Sequence, residues 1–321
     1  MSDNFQYTKS LSIRSALLYL VLSMMLWGCR IQSPEQQIPE QYLMVLGVAQ
    51  DAGYPQAGCE LNCCLPYWEG KEKKRMAVSL GIVDRLENQS WMIEATPDFK
   101  DQLHLLSDGD QPSLKGIFLT HAHIGHYIGL AHLGREVMGA QALPVYAMPR
   151  MGKFLQENGP WEQLVTLENI KIKPLKNDST IHLNNRLSIT PLLVPHRDEY
   201  SETVGYIIQG PNQKVLFIPD INKWELWQKD IMAEIKDVDL ALLDGSFYQN
   251  GELPNRDMSE IPHPFIEESM QLFSTLSSKD KAKIHFIHFN HTNPVLREGV
   301  ERMEVLEQGF QVAQEGSVSI L

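Results

Sequence analysis

Short apolar runs, cut by polar turns, recur along the chain. Residues 42–49 (Tyr-Leu-Met-Val-Leu-Gly-Val-Ala) read as a first strand, since an unbroken apolar run of about four to eight residues suits a buried strand. Residues 76–83 and 90–95 read as a hairpin pair, and Thr96-Pro97-Asp98 as the opening of a helix. Thr96 suits its cap and Pro97 its first turn. Residues 117–119 form a further buried strand, 127–138 look helical, 145–147 extended and 151–158 helical. The second half repeats the rhythm. Strands are expected at 187–194, 205–208, 214–218, 240–243 and 284–287, with a helix over 266–276. Strands alternating with helices place the chain in the α/β class.

Polar residues sit where these strands stop. The run ending at Leu119 leads into Thr120-His121-Ala122-His123-Ile124-Gly125-His126. Later runs end at Pro195-His196, Pro219-Asp220, Asp244-Gly245 and His288-Phe289-Asn290-His291. In α/β folds, sites form at the carboxyl ends of strands. Imidazole is the commonest metal ligand among side chains, and extended residues two apart point the same way. His121 and His123 therefore grip one ion together, and His126 reaches a second if the chain turns into a helix. One histidine at a strand end means little, but repeated delivery of His and Asp argues for a metal site. His263, in Glu260-Ile261-Pro262-His263-Pro264, reads equally as a general acid or substrate contact and as a structural loop residue. Asp244 and Asp98 are candidates for carboxylates that orient ligand histidines. His104, His132, His182 and His285 sit in apolar or surface patterns and read as structural.

The amino terminus follows a different pattern. Lys9 and Arg14 precede an apolar stretch that ends in Leu26-Trp27-Gly28-Cys29. A basic start and a short apolar segment describe an export signal. The small Gly28 before Cys29 resembles a bacterial lipobox, so residues 1–29 are expected to be a lipoprotein signal with Cys29 lipidated. Several acyl chains, at about 0.8 kcal/mol per buried CH₂, hold a protein on a membrane. Arg30 rather than Asp follows the cysteine, which places the protein on the periplasmic side of the outer membrane in a Gram-negative cell. Residues 30–42, rich in Gln, Pro and Glu, read as a tether, leaving 43–321 as the folded domain. A chain of 321 residues with net charge −12 does not attract long polyanions, and a small-molecule substrate is expected rather than nucleic acid. Besides Cys29, the cysteines are Cys59, Cys63 and Cys64. An odd number pairs badly; three thiols with a distant histidine would make a structural Cys₃His zinc site, and a disulfide with one spare thiol is the alternative.

Thr120-His121-Ala122-His123-Ile124-Gly125-His126, with His196, Asp220 and His288, resembles the metallo-β-lactamase superfamily. The segments Leu46-Gly47 with Pro55-Gln56, Ala95-Thr96-Pro97-Asp98 with Gln102-Leu103, Leu243-Asp244-Gly245-Ser246-Phe247 and 288–294 resemble coenzyme PQQ synthesis protein B and its relatives. The chain is also similar to the cyclic-phosphate phosphodiesterase of the phosphonate pathway. The resemblance implies a four-layered αβ/βα sandwich. It implies His121, His123 and His196 as ligands of a first metal, His126 and His288 as ligands of a second, and Asp220 as the bridging carboxylate. It further implies a structural zinc on Cys59, Cys63, Cys64 and His291. Two departures stand out. The superfamily motif carries Asp where this chain has Gly125, so the second site is expected to be the weaker. The His121-x-His123 pair is one that PQQ synthesis protein B typically lacks.

The expected activity is that of a metal-dependent hydrolase with one or two catalytic ions, Zn²⁺ or else Mn or Fe. Bound Zn²⁺ brings the pKa of its water from about 15.7 to about 7 and so provides hydroxide at neutral pH. Asp220 and His263 are the catalytic candidates. A small phosphodiester or cyclic phosphate is the first substrate expectation. The alternatives are a PQQ-type oxidative maturation step and a non-catalytic ligand-binding lipoprotein, the latter favoured by Gly125.

Overall fold

A computed structural model describes residues 39–107, 112–253 and 256–321. Cys29 and the expected signal and most of the tether lie outside the described residues. Gln41, assigned to the tether by sequence, belongs to the first strand, and Tyr42, where the two readings met, is strand as well.

Among the described residues two sheets form, each of seven strands. The first contains β1 (Gln41–Gly47), β2 (Ser79–Asp84), β3 (Gln89–Ile93), β4 (Ser113–Phe118), β5 (Leu143–Ala147) and β6 (Ile170–Pro174). The second contains β7 (Ile181–His182), β8 (Ser188–Leu193), β9 (Val204–Gln209), β10 (Lys214–Ile218), β11 (Leu240–Asp244), β12 (Ile284–Ile287) and β13 (Gln311–Val312). The last strand, β14 (Val318–Ile320), returns to the first sheet beside β1, where Met44 faces Val318. Each sheet begins with antiparallel pairs and changes to parallel ones, at β3–β4 and at β10–β11.

Alternation along the strands explains the layering. Leu43, Val45, Leu80, Ile82, Trp91, Ile93 and Phe118 enter one apolar cluster with Ile189, Leu216 and Ile218 of the second sheet. Their neighbours Tyr42, Leu46, Val83, Met92 and Ile117 point the other way, as a two-residue period requires. There they meet Phe99 and Leu106 of the helix Phe99–Leu106 and Met151 and Leu155 of the helix Pro149–Glu157. The second sheet is covered outside by Ile231 and Ile235 of one helix and Ile266 and Met270 of another. The order helix, sheet, sheet, helix is the αβ/βα sandwich. Tyr206 spans the seam, its hydroxyl donating to the Leu119 carbonyl and its ring edge meeting Phe118.

Two local expectations are corrected. The helix expected over 127–138 is a single turn, Ile124–Tyr127, followed by a tighter turn over Ile128–Leu133. The chain there is pressed against the 95–96 loop. Gly129 N donates to the Ala95 carbonyl, and a Cβ on Gly129 would lie 2.2 Å from the Thr96 carbonyl. At the other site Asp98, not Thr96, precedes the helix Phe99–Leu106, and Pro97 lies outside it. Thr96 instead donates to Gln102 Oε1 (2.7 Å) and accepts from Asp98 N (3.1 Å).

Candidate metal centre

Strand ends from both sheets converge on one point. Beyond β4 the chain stays extended through His123, so His121 and His123 present their rings together, centroids 4.4 Å apart. The following helical turn folds His126 back to 4.3 Å from His121. His196 follows β8 and lies 5.4 Å from His121 and 5.0 Å from His123. His288 follows β12, 5.4 Å from His126.

Asp220, beyond β10, is the hub. Its Oδ2 lies 3.2 Å from His121 Nε2, 3.9 Å from His123 Nδ1, and 3.7 Å from both His126 Nε2 and His288 Nε2. Its Oδ1 lies 3.1 Å from His196 Nε2 and 3.3 Å from His263 Nδ1. His121, His123, His196 and Asp220 offer ligand atoms that all lie within 4.8 Å of one another. Nε2 of His121, His126, His196 and His288 and Oδ1 of Asp220 are buried, and among the described residues none has a hydrogen-bond partner. Buried polar atoms normally find partners. So many orphans facing one another are what a cation-binding cavity requires, and the donor set of imidazoles and a carboxylate suits zinc or iron.

Outer partners fix which nitrogen faces inward. Thr120 Oγ1 donates to Glu94 Oε1, so it accepts from His121 Nδ1–H at 2.8 Å. Ser246 Oγ donates to Asp244 Oδ1 (2.8 Å) and accepts from His288 Nδ1–H (2.8 Å). His196 Nδ1–H donates to Asn222 Oδ1 at 3.1 Å. His126 Nδ1 lies 3.2 Å from Glu94 Oε1. For His121, His196 and His288 the proton sits on Nδ1, and the Nε2 lone pair points at the centre. Glu94, Thr120, Ser246 and Asn222 went unnoticed in sequence because Thr, Ser and Asn are chemically ordinary and Glu94 reads as the end of a strand. Glu94 and His288 have φ of +78° and +69°. Such left-handed backbone in side-chain-bearing residues clusters at functional sites.

The electrostatics agree. Burial holds His288 down to about 4, and burial and then the neighbouring His126 hold His121 well below the ordinary range. Burial also lowers His196. These imidazoles are neutral at pH 7 and ready to ligate. His126 goes the other way: burial opposes its charge, but Glu94 and then Asp51 raise it well above the ordinary range. Asp51, in the loop after β1, places Oδ1 3.2 Å from His126 Nε2; it is not among the residues singled out from the sequence.

His263 is buried beside the hub, with Nδ1 2.8 Å from Asp244 Oδ2. Burial opposes its protonation, yet Asp244 and Asp220 hold it up at about 9. Asp244 therefore orients His263 directly and His288 through Ser246. Asp98 has no such place. Its carboxylate accepts from Ala77 N (2.8 Å) and pairs with Lys74, so it braces the segment leading into β2 and touches no ligand histidine. His263 lines a cavity of about 420 Å³ with Gln50, Arg197, Phe247, Arg256 and Asn290.

A second cluster lies next to the cavity. Cys59 Sγ is 3.6 Å from Cys63 Sγ, and His291 Nδ1 is 3.3 Å from Cys64 Sγ and 3.7 Å from Cys63 Sγ. All three cysteines are free thiols, which removes the disulfide alternative from this structure. With zinc–sulfur bonds of about 2.3 Å, a tetrahedron has edges of about 3.8 Å. The cluster matches that size, and its four residues offer mutually close ligand atoms.

A model of the beta-lactamase superfamily domain matches residues 91–288. The chain belongs to this superfamily, and its fold and clustered histidines are those of a metallo-β-lactamase sandwich. It is 24% identical over 301 residues to coenzyme PQQ synthesis protein B of Methylorubrum extorquens, covering 86% of this chain and 98% of that protein. The crystal structure of Zn²⁺-bound PqqB from Methylobacterium extorquens superposes with a TM-score of 0.73 at 22% identity, over 87% of this chain and all of that one. A diphosphatase of the PhnP family superposes with a TM-score of 0.59 at 21% identity, over 87% and 96%.

Proposed function

We propose that this chain is a metal-dependent hydrolase of small phosphodiesters or cyclic phosphates. The carrying observation is the ring of orphaned imidazole nitrogens around Asp220. His121, His123 and His196 would hold one cation, His126 and His288 another, with Asp220 shared; Cys59, Cys63, Cys64 and His291 would hold a structural zinc. Zinc at such a centre supplies Lewis acidity and lowers the pKa of water at neutral pH.

The residues around the cavity do the rest. Arg197 and Arg256 line it, and among the described residues neither has a hydrogen-bond or carboxylate partner, so both are available to a phosphate oxygen. Their presence on a chain of net charge −12 favours an anionic substrate of limited size. His263 keeps Nδ1 on Asp244 and has Nε2–H to give to a leaving oxygen. With Asp220 neutralised by ligation, Asp244 alone supports that proton, which brings its pKa closer to working pH. Signal residues 1–29 with lipidated Cys29 would hold the domain at the bacterial envelope. Among the described residues no helix is long and apolar enough to cross a membrane.

A second reading has its own support, because the curated relatives matched over nearly their full length are PQQ synthesis proteins. In that reading iron or copper occupies the same pocket for an oxidative maturation step. Metal analysis of the purified full chain, with phosphodiester turnover and oxygen uptake assayed in parallel, separates the two. Zinc or manganese with phosphodiester cleavage supports hydrolysis. Iron or copper with oxygen uptake and no cleavage sinks it.

A further inference from the structure

The motif position that carries a carboxylate in the superfamily is Gly125 here, which on sequence alone leaves the second cation short of a ligand. The structure accounts for the glycine. A Cβ on Gly125 would lie 2.4 Å from Asp51 Cα, 2.6 Å from its carbonyl oxygen and 2.7 Å from its carbonyl carbon. These are backbone atoms, so no side chain fits at 125 unless the 50–53 loop moves.

That loop brings a carboxylate of its own. Asp51 Oδ1 is buried, has no hydrogen-bond partner among the described residues, and lies 3.2 Å from His126 Nε2. The Nε2 of His126 is equally orphaned and fully buried. Asp51, His126 and His288 offer ligand atoms that all lie within 4.8 Å of one another. Two facing lone pairs at that distance repel unless a cation or a proton lies between them. The loop is also fastened to the element that bears His288. Gln50 N donates to the Phe289 carbonyl (2.8 Å), Phe289 N to the Val48 carbonyl (2.8 Å), and Asn290 Nδ2 to Gln50 Oε1 (2.6 Å). Asp51 itself has φ of +32°, a conformation that Asp and Asn tolerate better than most residues.

We infer that Asp51 is the carboxylate ligand of the second cation, supplied from the loop after β1 in place of the side chain absent at Gly125. The second subsite is then Asp51, His126, His288 and the shared Asp220, a full set built from a different part of the chain. This rests on the two-cation reading of the centre.

The test is cation stoichiometry and affinity on the full chain in detergent, with zinc or cobalt as the probe and elemental analysis and cobalt absorption as readouts. Wild type, Asp51→Asn, Asp51→Gly and Gly125→Asp are compared. Both Asp51 variants suit the positive φ, and retention of the cysteine-cluster cation reports that they fold. Asp51→Asn and Asp51→Gly should lose one equivalent, or bind it at least tenfold more weakly, while keeping the cations of the other two clusters. Gly125→Asp should not raise cation content, because the new side chain meets the Asp51 backbone. Unchanged stoichiometry and affinity in both Asp51 variants overturns the inference and leaves the hydrolase reading standing. A wild type with no cation outside the cysteine cluster overturns both.

Discussion

Two buried hydroxyl groups decide which nitrogen of His121 and of His288 carries the proton. Thr120 can accept from His121 only because its own proton goes to Glu94, and Ser246 stands in the same relation to Asp244 and His288. Thr120→Val keeps the shape and removes the relay. Cation affinity at the His121 site should fall about 10- to 100-fold, read by chelator competition, with the cysteine-cluster cation unchanged. His263→Gln should lower kcat about 10²- to 10⁴-fold and leave cation content intact; equal loss of both would make His263 a ligand rather than a proton donor. Acid should also act through the buried histidines. His288, held at about 4 in the fold against an ordinary 6.5, stabilises the cation-free protein fully above pH 6.5. That contribution shrinks as pH falls from 6.5 towards 4. The melting temperature of chelated protein should drop over that window, and His288→Asn should flatten the drop. The same scale shows what the sequence carried. His121, His123, His126, His196, Asp220, Asp244 and His288 were legible because ligand-type residues stood at strand ends, whereas His263, in the loop before the helix Ile266–Leu272, was equally readable as structural. Asp51 and Glu94 obey the same rule, after β1 and β3. They were passed over because single acidic residues near turns are common, and only the tertiary fold brings both to His126.

Loops, rather than strands, give this site its shape. The Cys59–Cys64 loop reaches His291, three residues past His288, so a cation there fastens an N-terminal loop to the strand end that carries a candidate ligand. Arg297 reinforces the join, donating to the Cys63 and His291 carbonyls. Cys63→Ser should remove one cation equivalent and lower the melting temperature, and the central cations should remain in the folded fraction. Loss of every cation together would mean that the loop organises the whole centre. The element boundaries missed by sequence reasoning have physical causes. Residues 170–174, Ile-Lys-Ile-Lys-Pro, form an edge strand whose lysines break the apolar run that marks a buried one. The 127–138 helix was shortened by the close approach of Gly129 to the Thr96 carbonyl, a contact between distant residues that no local pattern encodes.

On the scale of the molecule, two similar half-sandwiches share one seam, and the metal-ligand candidates come from both. His121, His123 and His126 belong to the first sheet's end; His196, Asp220 and His288 belong to the second's. Geometry at the centre therefore depends on how firmly the sheets are held together. The C-terminal return of β14 contributes to that hold, and it was illegible because three alternating residues after a turn carry almost no strand signal. Leu321 is fully buried, its N–H donates to the Gln41 carbonyl, and its backbone packs where a Cβ on Gly210 would be. It thus ties β1 of one sheet to the turn between β9 and β10 of the other. Burying one leucine contributes about 1.5–3 kcal/mol, and deletion of residues 318–321 also uncovers the edge of β1, a ready template for intermolecular pairing. The truncated chain should melt several degrees lower and aggregate on heating, measured by thermal denaturation with light scattering. Leu321→Ala alone should reproduce the loss of stability without the aggregation, since β14 still covers the edge. If the truncation melts like wild type, the sheets are held by the inter-sheet core alone, and the C-terminal strand serves only as an edge cover.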